Sequence, residues 1–196
     1  PIRASAAEAG PCFPISYANI PDCGTFNQPE EGCESDDSYA VQTGSDNCSA
    51  SYYGFPFSVP SGNVIDGIVV TVEGQVSPGS DEGLNVSLSY DNGTSWTAIH
   101  NTGIMTTTDN FYTVGASDDN WGYASWTPAI INSDLFRVRL DVTGTDGTIK
   151  IDSTQAKVHY RESTTTTVTT SGSASTYGNT ITFTATVTGA GGSASP

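Results

Sequence analysis

From residue 64 onward the chain alternates between apolar and polar positions. Ile68, Val70 and Val72 fall on one side of an extended run, with Val69, Thr71 and Glu73 on the other. Leu84, Val86 and Leu88 repeat the pattern against Asn85, Ser87 and Ser89. Phe136, Val138, Leu140 and Val142 make the strongest example, with Arg137, Arg139 and Asp141 pointing away. Ile149 and Ile151 follow, then Ala156, Val158 and Tyr160. Side chains on a strand alternate between its two faces, so each run predicts a strand with one buried face. No window shows the 3.6-residue period of an amphipathic helix. Short strands with polar outer faces, separated by Gly, Pro, Asn and Asp, predict an all-β chain. Its expected form is an antiparallel, jelly-roll-like β-sandwich.

The two ends read differently. Over residues 1–60, Pro11, Pro14, Pro21, Pro29, Pro56 and Pro60 interrupt any long strand. This stretch is expected as an irregular segment packed onto a sandwich core at 61–161. Within it, Asp37–Gln42 and Ser49–Phe57 are expected to pair around a turn at 44–47. From Ser163 to Thr176, 11 of 14 residues are Ser or Thr, which marks a linker. Alternation then returns, with Ile181, Phe183, Ala185 and Val187 on one face. Residues 162–196 are therefore a linker plus one or two strands, too few for a sandwich of their own.

Charge narrows the partners. Six Lys and Arg against 21 Asp and Glu leave a net charge of −15. Nucleic-acid backbones need clustered cations, and anionic membrane surfaces attract them, so both are excluded as partners. No apolar run reaches the roughly 18 residues of a membrane span. Charged residues make up only 14% of the chain, so Ser, Thr, Asn and Gly carry the polar surface, as in secreted β-proteins. The chain begins at Pro1 with no signal-peptide pattern, so a processed or shortened product is expected.

Cys12, Cys23, Cys33 and Cys48 all lie in the first quarter of the chain, at spacings unlike those of a zinc site. They predict two disulfides in an oxidising, extracellular or cell-surface setting. Three connectivities are open, and short local loops favour Cys12–Cys23 with Cys33–Cys48.

Two stretches resemble known families. SDDSYA (35–40), YGFPFSVPSG (53–62), IDGIVVTVE (65–73), VSLSYDNGTSWT (86–97), WG (121–122), FRVRL (136–140) and the IKID and AKVHY runs within 149–160 stand in that order. Together they resemble a β-sandwich module recurrent in secreted bacterial and phage surface proteins. That likeness implies an extracellular, non-catalytic role. Residues 163–196 are similar to the opening of bacterial immunoglobulin-like domains, with a Thr-rich start followed by YGNTITFTATV (177–187). Such domains occur in adhesins and surface fibres.

Candidate chemistry is sparse. Ser89-Tyr90-Asp91-Asn92-Gly93-Thr94-Ser95-Trp96 resembles the Asp-box of sialidase propellers, where it is structural. Here it predicts a tight hairpin, with Asn92-Gly93 at positive φ, Asp91 bonded to turn amides and Trp96 packed beneath. Acidic groups cluster at Glu30, Glu31, Glu34, Asp36 and Asp37, at Asp81 and Glu82, and at Asp118 and Asp119. They fit a structural calcium ion or a solvated acidic face. His100 and His159 are the only histidines, and no nucleophile elbow, metalloprotease helix or phosphate loop is present, so no enzyme is expected. Tyr52, Tyr53, Trp121, Tyr123 and Trp126 are candidates for sugar stacking, with Trp121 and Tyr123 on one face of WGYASW. Asn47, Asn85 and Asn92 head N-glycosylation sequons. The run containing Thr164, Thr165, Thr166 and Thr167 suits O-glycans.

A lone apolar strand at 181–187 needs a partner sheet, and none is evident between 161 and 180. A second subunit would supply one, and head-to-tail repetition gives a filament. The sequence thus points first to a structural subunit of an extracellular bacterial fibril or pilus. The second reading is a carbohydrate-binding adhesin module.

Overall fold

The computed structural model describes residues 6–20, 26–43, 48–144, 147–172, 178 and 180–189. The strands are β1 (Ala6–Cys12), β2 (Ser16–Ile20), β3 (Ala40–Thr43), β4 (Ser49–Tyr53), β5 (Val64–Val76), β6 (Gly83–Ser89), β7 (His100–Ile104), β8 (Asn110–Gly115), β9 (Arg137–Thr143), β10 (Thr148–Arg161), β11 (Thr164–Thr170) and β12 (Phe183–Gly189). A 3-10 turn at Pro29–Gly32 and one α-turn at Pro128–Ile131 complete the elements. Thr127 caps the latter by accepting from the Ile130 amide, and Pro128 occupies a first-turn position where no amide hydrogen is needed.

The strands form two antiparallel sheets and a separate hairpin. The first sheet runs β1-β10-β5-β8, with β3 also on β10. The second runs β2-β4-β9-β6-β7. Their inner faces meet in one core. Ile68, Val70, Val72, Ile149, Ile151, Ala156 and Val158 come from the first sheet, and Leu84, Val86, Leu88, Val138, Leu140 and Val142 from the second. These are the apolar positions of the alternating runs. Each large one is worth about 1.5–3 kcal/mol when fully buried. The all-β antiparallel sandwich expected from the sequence is the architecture observed.

The expected pairing of 37–42 with 49–57 does not form. β3 pairs with β10 in the first sheet, whereas β4 lies between β2 and β9 in the second. β3 and β4 therefore lie in different sheets and make no hairpin with each other. Cys33 and Cys48 are separated for the same reason. Cys33 bridges to Ser153 on β10, and Cys48 is buried at the head of β4. No disulfide joins two of the described residues, and Cys12 and Cys33 carry free thiols. Cys23 lies outside the described residues. Burial pushes the Cys33 thiol up to about 11, with Glu34 and Glu30 adding to the effect.

The strand expected at 181–187 also finds a partner that the sequence did not disclose. Phe183–Gly189 pairs antiparallel with Thr164–Thr170, so the Thr-rich stretch is itself a strand. Threonine is β-branched and suits an extended backbone even where it buries nothing. Ile181 precedes the strand, Phe183 and Ala185 are exposed and Val187 is half-buried.

Two substitutions separate core from hairpin. Leu140→Ala, in the fully buried centre of β9, should lower stability by about 2–5 kcal/mol. Phe183→Asp, at a side chain 69% exposed, should change it by less than about 0.5 kcal/mol. Urea unfolding midpoints at constant m-value check both.

Candidate functional site

Of the aromatics expected to form a platform, Tyr52, Trp121 and Trp126 are buried in the core, Tyr123 packs half-buried against it, and Tyr53 is half-buried on the outer face of the second sheet. Residues 121–126 form turns, so strand alternation does not apply to them. Trp121 has φ 58° and is fully buried, and its indole N–H donates to the Ile68 carbonyl at 2.8 Å. A buried indole needs such an acceptor, and a ring without an open face cannot stack on a sugar. His100 tilts against it at 4.2 Å and pairs with Asp119 at 3.3 Å. Tyr123 lies flat on Tyr90 with centroids 3.7 Å apart, and Trp126 meets it edge-on at 5.0 Å. Tyr52 is buried as well.

A different surface is built like a binding face. On β9 the inward residues alternate with Arg137, Arg139 and Asp141, and the register fixes what flanks them. Tyr53, Arg137 and Ser89 form one row across β4, β9 and β6. Ser51, Arg139 and Ser87 form the next, and Ser49, Asp141 and Asn85 the third, with Asn101 of β7 beyond Asn85. The serines are small, so the long β9 side chains lie over them. Ser51, Ser87 and Ser89 are at most 3% exposed although they point away from the core.

Most charged and amide groups on this face are held by a neighbour. The Arg137 guanidinium sits 4.0 Å above the Tyr53 ring and donates to the Asn92 side-chain oxygen. The Arg139 guanidinium sits 5.3 Å from the Trp96 ring and donates through Nε to Asp141. Ser49 donates to the same carboxylate. Asn101 Nδ2 donates to Asn85 Oδ1 at 2.8 Å. A guanidinium carries five N–H donors, so each retains donors beyond the bond it makes here. Arg137 Nε is buried and has no hydrogen-bond partner.

The Asp-box turn borders this face and has the expected geometry. Asn92 and Gly93 have φ 63° and 85°. Asp91 Oδ1 accepts from the Ser95 amide at 2.7 Å and from Ser89 Oγ at 3.0 Å, and Ser89 Oγ accepts from the Gly93 amide at 2.8 Å. Trp96 is half-buried and lies under the turn, where a β-carbon at Gly93 would be 3.6 Å from its ring, and its ring also meets the Arg139 guanidinium. The sequence showed Arg137, Arg139 and Asp141 pointing outward but gave no sign that the two rings would meet them. The available signal was two of only six cationic residues alternating on one strand of an acidic chain.

The remaining candidates scatter. Asn47 lies outside the described residues. Asn85 is half-buried on the face itself, Asn92 is exposed with its oxygen engaged by Arg137, and Thr164, Thr165, Thr166 and Thr167 are exposed on β11. Among the described residues one acidic trio converges. Carboxylate oxygens of Asp37, Asp109 and Asp152 lie within 4.8 Å of one another. Asp152 is buried, which raises its pKa, while its Oδ1 accepts from the Asp36 amide at 3.1 Å. Asp37 comes from an acidic loop visible in the sequence, but neither Asp109 nor Asp152 stood out there.

No protein-family model matches the chain, and no curated protein matches it. Several solved structures are similar in overall shape. The module TmCBM61 in complex with β-1,4-galactotriose is 10% identical, over 72% of this chain and 86% of that one, with a TM-score of 0.36. The xylan-binding module CBM15 is 12% identical, over 81% and 97%, with a TM-score of 0.39. The CBM22-1 xylan-binding domain of Paenibacillus barcinonensis Xyn10C is 8% identical, over 79% and 95%, with a TM-score of 0.35. Identities and scores this low leave the functional argument to the residues of the face.

The Asp91 carboxylate is held below its ordinary value, first by the Ser95 amide. A depressed folded-state pKa stabilises the fold above the unfolded-state value, and that contribution is lost as pH falls through the folded value. Asp91→Asn should therefore melt below wild type at neutral pH, with the gap closing as pH drops through the carboxylate range. Melting temperatures of both proteins across that range check the sign.

Proposed function

We propose that the chain is a carbohydrate-binding module of a secreted or cell-surface protein, holding a glycan on the outer face of the second sheet without cleaving it. The observation that supports this most is the grid centred on Arg137, Arg139 and Asp141. Sugar hydroxyls are both donors and acceptors, and adjacent hydroxyls match paired planar groups. The face offers guanidinium donors, the Asp141 acceptor and the Asn85–Asn101 amides in neighbouring rows. The serine rows keep the floor low, and the half-buried Tyr53 and Trp96 add apolar surface beside the arginines. Because the groups are already fixed by one another, little side-chain entropy is lost on binding. Asp141 is the only carboxylate in the three rows, so the face lacks the acid pair of a glycosidase.

The fibril reading rested on a strand without a partner in its own chain, and that strand pairs with β11. What still favours assembly is the hairpin's uncovered apolar surface, with Val168 at 60% and Phe183 at 69% exposure. Among the described residues no helix is long and apolar enough to cross a membrane.

Calorimetric titration against a panel of soluble polysaccharides and their oligosaccharides tests the proposal. At least one glycan should bind, and Arg139→Ala and Trp96→Ala should each weaken it about tenfold or more. Both variants should melt close to wild type, since neither residue is in the core. A panel with no binder, or two variants that bind like wild type, overturns the assignment. Sedimentation of large polymers lost in Phe183→Asp would establish the fibril reading in its place.

A further inference from the structure

Glu82 does not belong to the face described above, and its environment is anomalous. The residue is 1% exposed, and neither carboxylate oxygen has a hydrogen-bond partner. Its backbone is firmly placed, because its carbonyl accepts from the Met105 amide at 2.9 Å at the start of β6. The side chain runs toward Gly144 and Gly147, which flank the β9–β10 connection. A β-carbon at Gly147 would collide with Ser80 Oγ and with both Glu82 oxygens. A β-carbon at Gly144 would lie 3.3 Å from Asp81 Oδ1 and 3.0 Å from Glu82 Cγ. Four side-chain oxygens, from Ser80, Asp81 and Glu82, therefore gather against Gly144, just after β9, and Gly147, just before β10.

A buried carboxylate with no partner is very unfavourable, so such a group ordinarily finds a cation or takes up a proton. Protonation answers only half the problem here, since the neutral acid would still bury an unpaired O–H and an unpaired carbonyl. No Lys, Arg or His side chain forms an ion pair with Glu82 among the described residues. The polar side-chain atoms gathered there are oxygens, two of them from one carboxylate. That is the chemistry of a hard divalent cation with flexible coordination, calcium rather than magnesium.

We infer that Glu82, Asp81 and Ser80 form a calcium site that ties the β6 start to the end of β9 and the start of β10. The site is separate from the Asp37, Asp109 and Asp152 trio, where Asp152 already has an amide donor. It stands independently of the glycan proposal, though Gly144 also lines the end of the groove formed by Ser49, Asn85, Arg139 and Asp141.

The test is thermal unfolding of the whole chain in EDTA and in calcium chloride, with calorimetric titration of calcium. Wild type should gain about 5–10 °C at a hundredfold excess over Kd. Glu82→Gln should lose that gain yet melt at or above wild type in EDTA, because its buried charge is gone. Asp81→Asn, at an exposed position that cannot endanger folding, should weaken calcium at least about tenfold. Asp109→Asn should keep the full gain. The inference fails if wild type does not respond, if Glu82→Gln or Asp81→Asn responds as wild type does, or if Asp109→Asn abolishes the response.

Discussion

The two-sided pairing of β10 is the constraint on which the rest of the molecule depends. Along one edge β10 pairs with β5 from Ile149 to Arg161. Along the other it holds β3 at Thr148–Ile151, Cys33 at Ser153 and β1 from Ala156 to Arg161. Three parts of the N-terminal segment, β1, Cys33 and β3, are thus fastened by main-chain pairing to one long strand, while β2 and β4 join the second sheet. That is why a segment so poor in apolar residues can be ordered without a cross-link between Cys12 and its expected neighbour. Cys12 lies opposite Ala156, and Cys33 lies opposite Ser153. Each thiol is held at the β10 edge by the register of its own stretch.

The same strand carries a bulge that decides where Asp152 goes. Before it the inward residues are Ile149 and Ile151, and after it Thr154, Ala156 and Val158. The register shifts between Ile151 and Ser153, so odd positions face the core before it and even positions after. That change of parity was present in the sequence. Apolar residues at 149 and 151 followed by 156, 158 and 160 cannot share a face without an extra residue. Read this way, the pattern marks Asp152 as an acid forced into a bulge.

Where one face of a strand is buried and the other wet, the sequence was transparent, as in β5, β6 and β9. It was opaque where the partner is chosen by the fold. The short 40–43 and 49–53 strands look like a hairpin because a turn lies between them, yet sheet geometry sends them to opposite layers. Trp121 and Tyr123 look like a platform because they alternate, yet turn geometry removes the alternation. Arg137, Arg139 and Asp141 were correctly placed on an outer face, but what makes that face a site is its register with Tyr53 and its proximity to Trp96. Glu82 read as one more loop acid beside Asp81, and only the three-dimensional packing shows it to be sealed from water.

The two proposed ligands follow from opposite states of satisfaction. On the outer face Asp141 has Arg139 and Ser49, Arg137 has Asn92 and a ring, and Asn85 has Asn101. Such groups keep spare donors and lone pairs while their main demands are met, so they suit a ligand that comes and goes in exchange for water. Glu82 has none of its demands met, and no water-exposed route satisfies them. A group in that condition suits an ion that belongs to the folded state. Gly144 touches both, as a wall of the groove and as a neighbour of the Glu82 side chain. An ion there would fix Gly144 at one end of the groove, so glycan affinity and calcium occupancy should be linked in sign. By linkage, whatever free energy calcium adds to glycan binding, the glycan returns to calcium binding.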